Sequence, residues 1–186
     1  MARGNTRQRI QDVALELFAE QGYEKTSLRE IAERLDVTKA ALYYHFKTKE
    51  DILVGIFDDL TRPMDELIAW AKEQPRTLET RRETLVRYQA ALAAARPLFR
   101  FMQENQAAVG KLSIGMTFKE RMHELTALLQ DPDFSVKDQV RALSAIFTLH
   151  AGTFFMMNNV EGDPEERQEA ILEVALDMLE QAHEGR

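Results

Sequence analysis

Four helix-start signals fall within the first fifty residues of this chain. Each is a Ser, Thr or Asn that can cap a helix, and in three of them a Gln, Glu or Asp stands three positions later, the spacing of a capping box. The signals are Asn5 with Gln8, Ser27 with Glu30, Thr38, and Thr48 with Asp51. Gly22 is placed to end the first helix as a C-cap. Such close spacing predicts a group of short helices.

The rest of the chain shows similar helical punctuation, with no alternating strand pattern. A fourth helix is predicted to run past Leu60, where Pro63 removes a backbone donor and kinks or breaks the helix before Trp70. Further helices are predicted at about 77–95, 97–109, 115–129, 135–159 and 164–183. The predicted fold class is therefore all-α.

The charge of the 186-residue chain is unevenly distributed. The net charge is −7, yet residues 1–50 contain nine Lys and Arg against eight Asp and Glu. The acidic excess therefore lies after residue 50. Because an acidic body repels a phosphate backbone, we expect any nucleic acid to meet only the N-terminal part.

Several classes of site and location are excluded by what the sequence lacks. There is no cysteine, so disulfides, thiolate metal sites and cysteine nucleophiles are excluded. No apolar run approaches the roughly 20 residues of a membrane span, and the basic N-terminus lacks a secretory signal, so we expect a cytoplasmic protein. We also find no glycine-rich phosphate loop, nucleophile elbow or i, i+4 histidine pair. We expect no enzyme activity, no cofactor and no metal.

Residues 27–46 are predicted to form two short helices joined by a tight turn at Asp36 and Val37. These lengths suit a helix-turn-helix, which places its second helix in a DNA major groove about 12 Å wide. Small side chains at Ala40 and Ala41 permit close approach to bases. The segment is also rich in hydrogen-bond donors of the kind that contact phosphates. These donors are Thr38, Lys39, Tyr43, Tyr44, His45, Lys47 and Lys49.

The segment TSLREIAERLDVTKAALYYHFKTKEDIL, residues 26–53, resembles the DNA-binding signature of the TetR family of regulators. The most specific part is LYYHFKTKEDIL, and FAEQGYEKTS extends the resemblance upstream. It implies a three-helix helix-turn-helix DNA-binding domain at residues 1–50, followed by a helical effector-binding and dimerisation domain at residues 51–186. The later two-thirds of the chain match the family only in length and helical pattern.

The resemblance implies DNA contacts at particular positions. The start of the recognition helix faces bases or adjacent phosphates, the tyrosine pair touches backbone or thymine methyls, and the cap of the second helix and the positions of His45 and Lys49 grip phosphate. The residues concerned are Thr26 or Ser27, Thr38, Lys39, Ala40, Tyr43, Tyr44, His45 and Lys49. Many relatives have glycine where this chain has Ala40.

Alternatives remain open for some of these residues. Lys47 and Lys49 could be solvated charges, and one of the two tyrosines could pack inward because neighbours on a helix point about 100° apart. A further possibility is a basic arm that reaches a flanking groove, made of Arg3, Arg7 and Arg9.

The last two predicted helices, 135–159 and 164–183, are apolar on more than one side. One core-facing stripe needs less apolar surface than this. A second copy of the same helix pair would cover the excess in a two-fold interface, so we expect a homodimer. The resemblance implies the same arrangement, since relatives dimerise through their last two helices.

Bulky, adaptable side chains between the fourth helix and the predicted interface suggest an apolar effector pocket. The candidates are Trp70, Tyr88, Phe99, Met102, Met116, Phe118, Met122, Phe147, His150 and Phe154. Ordinary core packing is the alternative for each. His150 could anchor a carbonyl or carboxylate of the effector, or be a satisfied core histidine.

The functional prediction is a DNA-binding regulator, most simply a repressor that binds a palindromic operator as a dimer and is released by a small, largely apolar effector. The main alternative is a helical protein-interaction module without sequence-specific DNA binding. That alternative leaves the donor cluster between Tyr43 and Lys49 unexplained.

Overall fold

The computed structural model describes residues 4–97, 101–102, 105, 114–156 and 159–185. Within these residues the chain forms eight α-helices and no strand, which confirms the predicted all-α class. The helices are α1 (Gly4–Gln21), α2 (Leu28–Arg34), α3 (Lys39–His45), α4 (Lys49–Glu73), α5 (Leu78–Ala94), α6 (Ile114–Leu129), α7 (Val136–Phe154) and α8 (Pro164–Glu184).

Three of the four early helix starts are confirmed. Ser27 caps α2 in a complete capping box with Glu30, Thr38 caps α3, and Thr48 exchanges hydrogen bonds with Asp51 before α4. Asn5 is not a cap, because α1 already includes it in the first turn. Gly22 follows α1 with a φ of 89°, a conformation that favours glycine.

Of the two outcomes predicted at Pro63, a kink or a break, the break is wrong, because α4 continues through Pro63 to Glu73. A proline inside a helix costs about 3 kcal/mol. Buried side chains follow it at Met64, Leu67 and Ile68, and each contributes roughly 1.5–3 kcal/mol by leaving water. Packing therefore outweighs the lost backbone hydrogen bond.

The later helices follow the predicted pattern with one difference. The helix predicted at 135–159 ends at Phe154, and most of the predicted helix 97–109 lies outside the described residues. Asp163 caps α8, with Pro164 in its first turn. No helix in the described part of the chain is long and apolar enough to cross a membrane.

The chain divides into two compact units, and the first comprises residues 1–60 and 97–115. Its described core is built from one face each of α1, α2, α3 and the beginning of α4, together with Phe101. The most deeply buried members are Ile10, Ala14, Phe18, Ile31, Leu42, Phe46, Ile52 and Leu53. The turn between α2 and α3 places Asp36 at a φ of 54°, and the amide of Val37 donates to the carbonyl of Ala32.

The second unit comprises residues 61–96 and 116–186. In it α7 packs along α8, and both contact α5. Gly152 of α7 allows this close packing, because a Cβ at this position would collide with the side chain of Ile171 on α8. The two units are defined by packing alone. The domain limits predicted from the sequence, residues 1–50 and 51–186, therefore stay a prediction.

A buried ion pair joins α5 to the loop between α6 and α7 in the second unit. Arg81 is 1% exposed, and its Nη2 donates to Oδ2 of Asp131 at 2.7 Å. Its Nη1 lies 3.4 Å from Nδ1 of His183 on α8. The guanidinium therefore links three segments that are distant in sequence.

Removing the guanidinium should destabilise the protein far more than removing an exposed one. For Arg81→Met we expect a loss of about 3–5 kcal/mol in the free energy of unfolding, because the carboxylate of Asp131 stays largely buried. The matched control is Arg29→Met, since Arg29 and Glu33 form an ion pair whose side chains are 78% and 60% exposed. Arg29→Met should lower the free energy of unfolding by at most about 1 kcal/mol. Equal losses in urea denaturation would contradict the structural role of Arg81.

Candidate DNA-binding surface

The helix-turn-helix consists of α2 and α3, and local capping defines where each helix begins. The side chain of Ser27 accepts a hydrogen bond from the amide of Glu30, whose carboxylate accepts from the backbone of Ser27. The hydroxyl of Ser27 also donates to this carboxylate at 2.7 Å, and the bonds from the hydroxyl and from the backbone amide of Ser27 lower the pKa of Glu30. The hydroxyl of Thr38 accepts from the amide of Ala41 at 3.2 Å. The start of α3, where the resemblance predicts base contacts, is therefore well defined.

The two faces of α3 differ sharply in exposure. Leu42 and Phe46 are buried in the core of the first unit at 0% and 2% exposure. On the opposite side the side chains are exposed, and Tyr44 is 82% exposed. The exposed set comprises Thr38, Lys39, Ala40, Ala41 and Tyr44. Tyr44 therefore presents both its ring and its hydroxyl to solvent.

The predicted aromatic and basic residues of α3 contact one another. The ammonium of Lys39 lies 5.4 Å from the centre of the Tyr43 ring. Tyr43 is half-buried, so the more inward of the two tyrosines is Tyr43. The rings of Tyr44 and His45 meet edge to face at 5.2 Å. Their phenol and imidazole groups are side chains of the kind that donate hydrogen bonds to phosphate.

Two lysines after α3 make contacts within the protein. The ammonium of Lys47 donates to the carbonyl of Tyr43 at 2.7 Å, which satisfies an orphan carbonyl at the end of α3. The ammonium of Lys49 donates to the carbonyl of Tyr23 at 2.8 Å. Lys47 is nevertheless exposed, whereas Lys49 is half-buried.

Of the two proposed caps of α2, the structure places Ser27 at the N-cap and buries Thr26. Thr26 is 2% exposed, and its hydroxyl donates to the carbonyl of Gly22 at 2.9 Å. Since a buried hydroxyl cannot reach a phosphate, the expectation for Thr26 is corrected in favour of Ser27, which is exposed.

Arg7 lies beside the end of α3, an association that the sequence did not indicate. Its guanidinium stacks 4.4 Å from the centre of the Phe46 ring. Gly55 of α4 permits this packing, since a Cβ there would come within 3.0 Å of Arg7 Nη2. Phe46 is 39 positions from Arg7 in the sequence, so no local spacing signals the contact. Arg9 is exposed and Arg3 lies outside the described residues.

Three predicted effector residues meet inside the second unit. The hydroxyl of Tyr88 on α5 lies 3.2 Å from Nδ1 of His150 on α7 and 3.3 Å from the sulfur of Met122 on α6. Burial raises the pKa of Tyr88 and lowers that of His150 below its ordinary value of 6.5. The pair is therefore a neutral polar group in apolar surroundings.

The other predicted effector residues are dispersed. Trp70 is half-buried, with the guanidinium of Arg87 3.9 Å from its ring centre. Met102 packs against the core of the first unit, and Phe147 is 56% exposed. Neither of these two therefore joins the Tyr88 group. Phe99 and the side chains of Met116, Phe118 and Phe154 lie outside the described residues.

Comparison with known proteins agrees with this arrangement. The family model for bacterial regulatory proteins of the tetR family matches residues 10–56, which span most of α1, all of α2 and α3 and the start of α4. These residues therefore form a helix-turn-helix domain of the TetR family. The match includes every residue of α3, so the exposed face of α3 lies within the segment shared with the TetR family.

Curated relatives match this chain over a limited part of their length. A 53-residue segment is 53% identical to the HTH-type transcriptional regulator AcrR of Shigella flexneri, and covers 28% of this chain and 25% of that protein. An 84-residue segment is 38% identical to the HTH-type transcriptional regulator QacR of Staphylococcus aureus, and covers 45% of this chain and 43% of that protein. The match thus spans less than half of either relative.

A solved structure is similar over nearly the whole chain. A transcriptional regulator of the TetR/AcrR family from Thermobifida fusca matches with a TM-score of 0.61 and 26% identity, covering 91% of this chain and 96% of that protein. The similarity therefore extends through the helices of both units.

Proposed function

We propose that this TetR-family chain is a transcriptional repressor that binds a palindromic DNA operator as a homodimer and releases it on binding a small, largely apolar effector. The observation that carries the proposal is α3, whose inner face is anchored in a core while Thr38, Lys39, Ala40 and Tyr44 are exposed on its outer face.

The chemistry of that face suits duplex DNA. Lys39 and Tyr44 offer donors for phosphate or base edges, and Ala40 adds little bulk where α3 would approach the bases. The ammonium of Lys39 is supported by the Tyr43 ring. Helix-turn-helix proteins contact bases mainly with the first residues of the recognition helix, the positions that Thr38, Lys39 and Ala40 occupy here.

An apolar stripe along α7 supports a dimer. Val136, Val140 and Phe147 lie at i, i+4 and i+11, and their exposed fractions are 78%, 57% and 56%. On α8, the helix packed beside it, Val174 is 46% exposed. A second copy of the same helix pair would bury this surface, and two recognition helices would then contact two half-sites of a palindrome.

The effector part of the proposal rests on Tyr88, His150 and Met122. Their contact places one neutral donor and acceptor pair among apolar side chains, as ligand sites commonly do. Binding there would favour one arrangement of the regulator over another and so change its affinity for the operator. An apolar compound that saturates this site and leaves operator affinity unchanged would refute the release mechanism.

Selection of duplexes from a randomised pool, at moderate salt to weaken nonspecific binding, should enrich a palindrome. With the selected duplex, Lys39→Ala should weaken binding by about 10-fold or more, the usual cost of losing a direct DNA contact. The matched control is Lys137→Ala, because Lys137 is also an exposed lysine and lies on α7. Equal affinities for the two variants, measured by fluorescence anisotropy, would contradict a DNA contact at Lys39. Failure of the selection to enrich any duplex would argue for the interaction-module alternative.

Phe147→Glu should convert the dimer into a monomer, because it places a charge in the centre of the proposed apolar interface. The control is Val86→Glu, since Val86 is 40% exposed on α5 and should leave the dimer intact. Sedimentation velocity measures both masses. A Phe147→Glu protein that keeps the mass of the wild type would overturn the assignment of this interface.

A further inference from the structure

The hydroxyl of Tyr88 lies inside the second unit, between side chains of two other helices. It is 3.2 Å from Nδ1 of His150 on α7 and 3.3 Å from the sulfur of Met122 on α6, and Tyr88 itself is fully buried. A phenol has one proton to donate, and a thioether sulfur is a weak acceptor. A stronger acceptor in the place of the sulfur would therefore gain a good hydrogen bond at little cost to the protein.

Buried apolar side chains accompany these three residues on their helices. Residues three or four positions apart lie on the same face of a helix. At these spacings from Tyr88, Met122 and His150 the structure places leucines and an isoleucine with no solvent exposure. They are Leu85, Leu92, Leu125 and Ile146. A ligand that reaches the Tyr88 hydroxyl therefore needs a largely apolar body.

The positively charged side chains of α5, α6 and α7 are engaged elsewhere. Among the described residues of these helices, each buried or half-buried arginine forms an ion pair with a carboxylate, and the lysines are exposed. The pairs are Arg81 with Asp131, Arg82 with Glu180, Arg121 with Asp65 and Arg141 with Asp138. His150 adds no charge at neutral pH, because burial lowers its pKa. A carboxylate bound beside Tyr88 would therefore be buried without a counter-charge, which is costly.

We propose that the effector is an uncharged molecule with an apolar chain and one carbonyl group, whose oxygen replaces the sulfur of Met122 as acceptor for the Tyr88 hydroxyl. This inference rests on the proposed function, because it names the chemical class of the effector. Met122 can give way to the carbonyl, since a methionine side chain is unbranched and flexible. Esters, ketones and lactones have this chemistry, whereas fatty-acid anions and alkylammonium ions do not.

The first test compares methyl esters with carboxylates of the same chain length, using hexanoate, octanoate and decanoate. Isothermal titration of the full chain at neutral pH, without DNA, measures their affinities. At the chain length that binds best, the ester should bind about 10-fold or more tightly than the carboxylate, because only the carboxylate buries an unpaired charge. Tighter binding of the carboxylates, or no binding of any ester, would overturn the proposal.

The second test removes only the hydroxyl. Tyr88→Phe should weaken binding of the best ester by about 3- to 10-fold, the usual net effect of one hydrogen bond. The matched control is Tyr23→Phe, because Tyr23 also has a buried hydroxyl but lies in the first unit. This control should leave the affinity for the ester unchanged. Equal affinities of the two variants would count against Tyr88 as the anchor.

Infrared spectroscopy of the bound ester detects the hydrogen bond itself. An ester labelled with ¹³C at the carbonyl should absorb at lower frequency in the wild type than in Tyr88→Phe, since a hydrogen bond weakens the C=O bond. The same frequency in both proteins would show that the carbonyl does not reach the hydroxyl, and would overturn the proposed contact.

These titrations separate the inference from the proposed function, because they contain no DNA. If an ester binds through Tyr88 and leaves operator affinity unchanged, the release mechanism fails while the ligand class stands. If no ester binds and the protein still selects a palindrome, the inference fails while the DNA-binding part of the proposed function stands.

Discussion

Leu42 and Phe46, on the inner face of α3, are buried among side chains from α1, α2 and the first half of α4. Each such side chain contributes roughly 1.5–3 kcal/mol by leaving water. This burial fixes the rotation of a seven-residue helix that is too short to be stable alone. Because the inner face is fixed, the outer face with Lys39 and Tyr44 has one defined orientation, on which the proposed DNA contacts depend.

Polar contacts around this core define where the helices begin and end more than they stabilise the fold. The capping box at Ser27, the bond from Lys47 to the carbonyl of Tyr43, and the ammonium of Lys49 on the α1–α2 loop all satisfy backbone groups at helix ends. Each of these contacts lies at the end of a helix or in the loop beside it. Basic side chains in the first fifty residues thus have two uses, some facing outward and some holding the fold.

The features predicted best from the sequence are those formed by residues close together in the chain. Caps at Ser27 and Thr48 follow from pairs three positions apart, and the cap at Thr38 follows from its residue type alone; the structure confirms all three. The contacts of Lys49 and of the Tyr88–His150 pair could not be predicted, because their partners lie 26 and 62 positions away in the chain. The break at Pro63 was wrong for a related reason. The sequence shows that Pro63 lacks a backbone donor. It does not show the tertiary packing of α4, which compensates for that loss.

Directed cleavage of DNA tests most directly whether α3 enters the major groove in a dimer. The chain has no cysteine, so Ala41→Cys gives a single attachment site for an iron chelate on the exposed side of α3. With the duplex selected by the wild type, we predict two symmetric groups of cuts whose centres lie about 10 base pairs, or a multiple of that, apart. A single group of cuts, or uniform cleavage along the duplex, would contradict the account.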